Sequence, residues 1–198
     1  MPSTRHIRRR IRSVTGTAKI TKAMQMVASS KMRRAQESAV AGRPYALLLN
    51  SVLAEVTHHA GDFTHPLMEE REVRQRAVVL VSTDKGLCGA LNGNLLREAQ
   101  KFDSDSTRFI VAGRKASQFI ARTRRKLEAE FNYSDTPSFG EARAIAKTAR
   151  ELFEKGEVDA VDAVFTNFVN TLSQRPVCVP LLPIKEIRPV AAKAEHDD

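Results

Sequence analysis

The residues best placed to do chemistry form a short turn with two glycines, a lysine and a cysteine: Ser82-Thr83-Asp84-Lys85-Gly86-Leu87-Cys88-Gly89. Glycines directly after a buried strand can let the backbone approach a pyrophosphate at a helix N-terminus. The spacing here, Gly86-x-x-Gly89 with Lys85 before the first glycine, matches neither GxGxxG nor GxxxxGK[ST]. The turn therefore lacks both phosphate-binding signatures, and we expect Gly89 to allow close packing of a helix on a sheet instead.

Cys88 is the candidate nucleophile of this turn. The sequence assigns no histidine or other base to it, and a free cysteine is most often a small core residue. For the adjacent Asp84 and Lys85 we expect a salt bridge within the loop or a contact with another protein. Cys88 and Cys178 are far apart, and the five histidines share no metal-ligand spacing. The sequence thus predicts no catalytic residue, no cofactor and no metal site.

Strands and helices that alternate along the chain must position this turn. Continuous apolar runs predict buried strands at residues 77–81 and 108–112, and Ser138 with Glu141 has the pattern of a capping box. The predicted helices are residues 86–101, 114–124 and 139–155, and the further strands are residues 127–132, 161–169 and 177–184. The second helix ends in a basic run that we expect to be solvated: Arg122, Arg124, Arg125 and Lys126. The alternation predicts a Rossmann-like, mostly parallel α/β domain.

A basic arm precedes this domain. The first forty residues carry ten Lys/Arg and one acid, which accounts for the whole net charge of +9. Steps of four and three residues along the arm meet mainly apolar side chains, the pattern of a coiled-coil seam. The seam consists of Ile7, Ile11, Val14, Ala18, Ala28, Met32 and Ala35. It is interrupted by the polar residues Thr21 and Gln25. In that stretch the apolar surface shifts to a flank made of Ile20, Met24 and Val27. We predict one helix over residues 5–57, bent or restarted at Pro44, whose N-terminal half projects from the α/β domain.

These patterns divide the chain into a shaft helix (residues 1–60), a linker (61–75), the Rossmann-like domain (76–186) and a polar tail (187–198). No run of about 18 apolar residues is present, so the sequence predicts no membrane-spanning helix. No apolar segment follows the N-terminal arginines, which excludes a secretory signal. The absence of a disulfide pattern favours a reducing compartment.

Residue chemistry alone leaves two interpretations of the basic arm. It could pair with nucleic-acid phosphates, or it could lie inside an acidic sleeve of protein. No aromatic residue occurs before Pro44, which gives no support to base stacking. The apolar seam beside the charges favours a protein partner.

Three segments closely resemble the gamma subunit of F-type ATP synthases. The resemblance covers residues 7 to about 184. The matching segments are Ile7-Arg8-x-Arg10-Ile11-x-Ser13-Val14, continued by Thr17-x-Lys19-Ile20-Thr21-Lys22-Ala23-Met24; the turn at residues 82–92; and Asn167-x-x-Asn170-Thr171-x-Ser173-Gln174.

The resemblance implies a non-catalytic rotor subunit that couples proton-driven rotation to ATP synthesis or hydrolysis, with catalysis in the beta subunits. It implies the alpha and beta subunits of the catalytic head, the epsilon subunit and the membrane c-ring as partners, with no nucleic acid. The implied contacts with the head are Arg8, Arg9, Arg10, Ile20, Thr21, Lys22 and Met24. The family's loop after the first strand corresponds to Asp84, Lys85, Gly86, Leu87, Cys88 and Gly89.

Family members also carry a C-terminal helix that pairs with the seam, and this helix is expected to be missing from these 198 residues, as in a truncated form. The implied location is peripheral, on the cytoplasmic face of a bacterial inner membrane rather than the matrix face of a mitochondrial one. Two alternatives remain from residue chemistry: a nucleic-acid-binding protein that uses the basic arm, and a nucleotide-binding enzyme with a Rossmann-like domain.

Overall fold

A computed structural model describes residues 3–59 and 65–184, with side chains described for 3–55 and 65–184. The chain divides into two compact units, one built on Met1–Val56 and the other on Thr57–Arg188.

The first unit is a single helix, α1, which runs from Thr4 to His59 over 56 residues. Its length is roughly 84 Å at about 1.5 Å per residue. Pro44 lies inside the helix, so of the two expected outcomes, a bend or a restart, the helix does not restart at this residue. A proline removes one backbone N–H from the helical ladder, and a helix of this length continues through that one defect.

The second unit is an α/β domain whose elements follow the predicted alternation. Its strands are β1 (Arg76–Val81), β2 (Thr107–Ala112), β3 (Lys126–Phe131), β4 (Ala160–Phe168) and β5 (Gln174–Leu182). Its helices are α2 (Leu91–Ala99), α3 (Arg114–Thr123) and α4 (Phe139–Glu154), preceded by a short 3-10 turn at Pro66–Met68. The predicted capping box begins α4, because the Ser138 side chain accepts from the Glu141 N–H and the Glu141 carboxylate accepts from the Ser138 N–H.

The five strands form one sheet in the order β3-β2-β1-β4-β5. β1 pairs in parallel with β2 and β4, β2 pairs in parallel with β3, and β5 pairs antiparallel with β4. The sheet is therefore mostly parallel, as predicted. The carboxyl ends of β1 to β4 share one edge, which carries the loops that follow these strands.

Helices cover both faces of the sheet. On one face α2 and α3 pack over the centre, and the core consists of Val78, Leu80, Leu95, Ala99, Phe109, Val111, Ala116, Phe119, Ile120 and Val164. On the other face α4 packs over Ala77, Val79, Ile110, Ala149, Leu152, Phe153, Val158 and Val161. The continuous apolar runs of β1 and β2 are explained by this cover on two sides.

Two boundaries differ from the prediction by several residues. α2 begins at Leu91 rather than residue 86, because Leu87 and Gly89 both have a φ of 60°, outside the helical region. β5 begins at Gln174 rather than residue 177 and ends at Leu182. It lies at the sheet edge, as Pro180 predicted.

Candidate functional site: the β1–α2 loop and the surface of α1

The loop after β1 caps the N-terminus of α3. The first N–H groups of a helix have no partner within the helix, and a nucleotide-binding fold directs such groups at phosphate. Here three successive loop residues accept them: Ala116 N–H donates to Ser82 Oγ (2.7 Å), Lys115 N–H to the Thr83 carbonyl (3.1 Å), and Arg114 N–H to Asp84 Oδ1 (2.9 Å). The Asp84 carboxylate therefore has a structural contact, and it bonds a backbone N–H rather than pairing with Lys85.

Gly113 makes this arrangement possible. It has a φ of +98°, and a Cβ at this position would lie 2.3 Å from the carbonyl oxygen of Ser82. The Tyr133 hydroxyl donates to the same carbonyl oxygen. Burial, and then the negative charge of Asp84, raise the pKa of Tyr133, so the phenol keeps the proton that it donates. The sequence did not single out Gly113, although it directly follows a buried strand.

Asn92 holds the other side of the loop. Its Nδ2 donates to Thr83 Oγ1 at 2.7 Å and to Cys88 Sγ at 3.2 Å. The half-buried Cys88 thus has an amide as its hydrogen-bond donor, and no base is among the contacts described for its sulfur. This arrangement orders the loop but supplies no group that would take a proton from the thiol.

The two glycines of the turn have different surroundings. Gly89 has a φ of +60° with nothing within 4 Å of a Cβ placed there, so the expected close packing of a helix on the sheet is wrong. Its conformation, not its size, requires glycine. Around Gly86 the nearest atom to such a Cβ is Lys115 Cε at 3.9 Å, which is ordinary contact.

Arg125 corrects the expectation for the basic run at the end of α3. Its guanidinium donates to the carbonyl oxygens of Phe102 (2.8 Å), Gln100 (3.3 Å) and Ala99 (3.4 Å), at the end of α2. It also lies 5.6 Å from the centroid of the Phe109 ring. Arg125 is therefore a C-terminal cap for α2, whereas Arg122, Arg124 and Lys126 are exposed.

Among residues 3–55 and 65–184, no group of three or more His, Cys, Asp and Glu side chains could hold a metal ion. Over the same part of the chain, no helix has the length and apolar character needed to cross a membrane.

The predicted seam of α1 is exposed along its length. The exposed fractions of Ile7, Ile11, Val14 and Met32 are 45%, 61%, 61% and 53%, and Ala18, Ala28 and Ala35 are exposed as well. The flank residues Ile20, Met24 and Val27 are exposed by 54–63%. An apolar stripe of this length normally marks an interaction surface.

Basic side chains lie beside this stripe. Arg8, Arg9, Arg10 and Lys22 are exposed, and the first turn of α1 contains no acidic residue that would complement the positive end of the helix dipole. Thr21 donates its hydroxyl to the Thr17 carbonyl of its own helix at 2.9 Å, so this hydroxyl is satisfied within α1. The structure thus brings apolar and cationic residues together on α1, whereas the β1–α2 loop belongs to the α/β unit.

Residues 3–198 match the family model described as ATP synthase. The ATP synthase gamma chain of Opitutus terrae is 45% identical over 196 residues, which cover 99% of this chain and 66% of the relative. The gamma chain of Desulfitobacterium hafniense is 43% identical, over 96% of this chain and 69% of the relative. The chain belongs to the ATP synthase gamma chain family. It spans about two thirds of the length of these curated relatives.

Solved structures agree with this family assignment. A chain from the central stalk and c-ring of the Tetrahymena thermophila mitochondrial ATP synthase is 26% identical, with a TM-score of 0.67 over 83% of this chain and 72% of the solved one. A chain of the Euglena gracilis mitochondrial ATP synthase shares the fold, with a TM-score of 0.64 at 18% identity over 90% of this chain and 56% of that one. The family predicted from the sequence is confirmed, and the nucleic-acid-binding and nucleotide-dependent enzyme alternatives are not supported.

Proposed function

We propose that this chain is a non-catalytic rotor subunit of the central stalk of an F-type ATP synthase. Its role is to couple proton-driven rotation to ATP synthesis or hydrolysis in the catalytic head. The proposed division is a shaft at residues 1–60, a linker at 61–75, an α/β domain or foot at 76–186 and a tail at 187–198. Residues 1–2, 60–64 and 185–198 of this division lie outside the described part of the chain.

The observation that carries this proposal is the exposed surface of α1. Most helical stability in proteins comes from burying an apolar face rather than from propensity, so a helix of 56 residues is expected to bury such a face against a partner. Its seam is exposed along the described helix, with Ile11 and Val14 each 61% accessible. A second helix on this seam, as in the C-terminal segment of the gamma family, would bury it as a coiled coil.

The charge of α1 supports a partner that surrounds the shaft. Arginines and lysines on several sides of one helix suit a sleeve with carboxylates or carbonyl dipoles around it. The contacts with the alpha and beta subunits would be made by Arg8, Arg9, Arg10, Ile20, Thr21, Lys22 and Met24. The epsilon subunit and the c-ring would contact the foot, and the complex would lie peripherally on the cytoplasmic face of a bacterial inner membrane.

The β1–α2 loop supports a mechanical role in place of a chemical one. Its Ser82, Thr83 and Asp84 acceptors are occupied by the N-terminus of α3. A nucleotide phosphate at that helix would have to displace these bonds.

Co-assembly is the direct test of this function. The chain, with an affinity tag, is expressed with its alpha and beta subunits, and the retained subunits are quantified after purification. Recovery of both subunits in the ratio of an intact head is expected. A variant with Arg9→Asp and Arg10→Asp, at the proposed contacts with the head, should lose them, whereas Arg122→Asp, on the α/β unit, should not. Recovery of neither subunit with the wild-type chain would contradict the proposal.

A further inference from the structure

Residues 65–75, called the strap below, come directly before β1 and contain no regular structure except one 3-10 turn. Both ends of the strap are nevertheless held by the α/β unit. Near its start, the Leu67 side chain packs against the core beneath α4. At its end, the N–H groups of Arg74 and Gln75 donate to Asp159 Oδ2, each at 2.9 Å. The strap is therefore fixed by specific contacts rather than by a helix or a strand.

Arg71 fastens the middle of the strap to the end of α4. Its Nη1 donates to the carbonyl oxygen of Phe153 at 3.0 Å, and its guanidinium lies 4.8 Å from the centroid of the Phe153 ring. Its Nη2 lies 2.6 Å from Glu69 Oε2, within the strap. The Arg71 side chain is only 24% exposed, and Phe153 is fully buried. A charged donor on one of the last carbonyl groups of a helix makes a strong hydrogen bond, so this contact holds the strap on α4.

The strap also holds the chain where it leaves the sheet. After β5, the backbone N–H of Ile184 donates to the Leu67 carbonyl oxygen at 2.7 Å. Leu182, at the end of β5, packs against the same core as Leu67. The strap, which lies between α1 and β1 in the chain, and the segment that follows β5 are therefore bonded directly to each other within the α/β unit.

A connection between two parts of a chain transmits rotation only if its backbone torsions are fixed. Each residue has two soft dihedral angles, and a few loop residues that are free to change them act as a hinge. In a rotor subunit, a free connection between shaft and foot would let one of them turn without the other. The contacts of Leu67, Arg71 and Asp159 remove this freedom from residues 65–75.

We propose that the strap is a torsional anchor: Arg71 and the Leu67–Ile184 bond fix both chain connections of the α/β unit, so that rotation passes between this unit and the shaft without slip. The proposal rests on the proposed function for the rotation itself and for the C-terminal helix that would follow the second connection. Arg71 is a positioning residue in this proposal, because it acts by holding the strap.

Arg71→Gln tests the anchor, and Arg125→Gln is its matched control. Arg125 makes the same two kinds of contact away from the strap: it bonds the Phe102 carbonyl oxygen at the end of α2 (2.8 Å) and lies 5.6 Å from the centroid of the Phe109 ring. Both substitutions remove a guanidinium from a helix end, so both should lower the melting temperature of the chain to a similar extent. Only Arg71→Gln releases the strap.

Hydrogen exchange of the purified chain measures this release. The N–H groups of Met68 and Glu69 are bonded to carbonyl oxygens within the strap, and that of Ile184 is bonded to Leu67. In Arg71→Gln the exchange of these groups should be faster by about tenfold, the effect of losing one hydrogen bond from a charged group. In Arg125→Gln it should stay at the wild-type rate.

The functional measurement is ATP-driven proton pumping per ATP hydrolysed, in membrane vesicles that carry the assembled complex. Arg71→Gln should lower this ratio by about twofold or more, because part of the rotation is lost in the released strap. Assembly and ATP hydrolysis should stay at the wild-type level. Arg125→Gln should leave the ratio unchanged, since a merely less stable α/β unit still has a fixed strap.

A second pair of variants tests the bond between the two connections without changing Arg71. Ile184→Pro removes the N–H that donates to the Leu67 carbonyl oxygen, whereas Ile184→Ala shortens the same side chain and keeps that N–H. Ile184→Pro should lower the pumping ratio by about twofold or more, and Ile184→Ala should not.

The possible results separate this proposal from the proposed function. If the wild-type complex pumps protons but Arg71→Gln pumps equally well, the anchor is overturned and the proposed function stands. Equal losses in Arg71→Gln and Arg125→Gln, or in Ile184→Pro and Ile184→Ala, would also overturn the anchor, because they would show an effect of stability or of side-chain size alone. A wild-type chain that supports neither assembly nor pumping would overturn the proposed function, and the anchor with it.

Discussion

Gly113 lies against the backbone of Ser82 so closely that a Cβ would be 2.3 Å from the Ser82 carbonyl oxygen. Ser82 directly follows β1 and Gly113 directly follows β2, at the same sheet edge. This contact allows the loop after β1 to reach the N-terminus of α3. The loop occupies the position after a strand where other α/β folds bind nucleotides, and here it bonds the N-terminus of the neighbouring helix α3.

Gly113→Ala should destabilise the α/β unit strongly. The methyl group would meet a backbone atom that cannot rotate away, and the φ of +98° would add strain. We expect a loss of about 3 kcal/mol in the free energy of unfolding, measured by urea denaturation followed by circular dichroism. Gly86→Ala is the matched control, because its Cβ would meet only a flexible Lys115 atom at 3.9 Å. A loss below about 0.5 kcal/mol for Gly113→Ala would contradict the contact.

Arg125→Lys should destabilise the same unit although it keeps the charge. A lysine cannot reproduce the planar fork that reaches the carbonyl oxygens of Phe102 and Gln100 and lies 5.6 Å from the centroid of the Phe109 ring. We expect a loss of about 1–2 kcal/mol in the free energy of unfolding. Arg122→Lys, in the exposed part of the same basic run, should have no measurable effect. Equal effects of the two variants would show that Arg125 acts only through its charge.

The sequence predicted those features that depend on the residues of one element. The apolar runs of β1 and β2 predicted buried strands, and the steps of three and four residues predicted the exposed seam of α1. Such predictions do not require the neighbouring elements to be known, because the spacing of apolar residues within one segment indicates whether it is buried on one side or on two.

Features that depend on two distant segments were not predicted. Gly113 is constrained by Ser82, and Arg125 by carbonyl groups of residues 99–102. Gly89 was assigned the wrong reason, since sequence cannot distinguish a glycine needed for its φ from one needed for its size. The start of α2 was missed because Leu87 adopts a left-handed conformation that leucine rarely takes.

Asp159 should make the stability of the α/β unit depend on acid pH. Its Oδ2 accepts the N–H groups of Gln75 and Arg74, each at 2.9 Å. The bond from Gln75 is the main cause of a lowered pKa for this carboxyl, and the Arg74 N–H and the charges of Arg71 and Arg74 lower it further against the opposing effect of burial. The ionised form is therefore favoured in the folded state.

The direction in which stability changes with pH follows from this lowered pKa. A carboxyl with a folded pKa below its unfolded value contributes stability above the unfolded pKa, and this contribution is lost as the pH falls through the folded pKa. Asp159→Asn should therefore be less stable than the wild type at pH 7, and the difference should shrink as the pH falls below 3.8, the ordinary value for Asp. Urea denaturation at pH 7, 5 and 3 measures it. A difference independent of pH would mean that ionisation is not involved.

Met24→Lys should lower coupling without affecting the fold. Met24 is 54% exposed on α1, and its flexible thioether can slide past neighbours that change during rotation. In the proposed assembly Met24 contacts the catalytic head, and carboxylates in the sleeve around the shaft would suit the positive charge of α1. A lysine there would form an ion pair in one rotary state and would lower the free energy of that state by on the order of 1–3 kcal/mol. Because that state would then be more stable than the others, the barrier to leaving it would rise.

The measurement is ATP-driven proton pumping per ATP hydrolysed, in membrane vesicles that carry the assembled complex. We expect Met24→Lys to lower this ratio while the amount of assembled complex stays at the wild-type level. Met26→Lys is the matched control, since Met26 is 63% exposed but lies about 200° away around the helix at 3.6 residues per turn. Because both variants add the same charge to the same helix, an equal loss of pumping in the two would indicate a general charge effect and contradict a specific contact at Met24. Failed assembly of Met24→Lys would instead make Met24 a structural residue of the shaft.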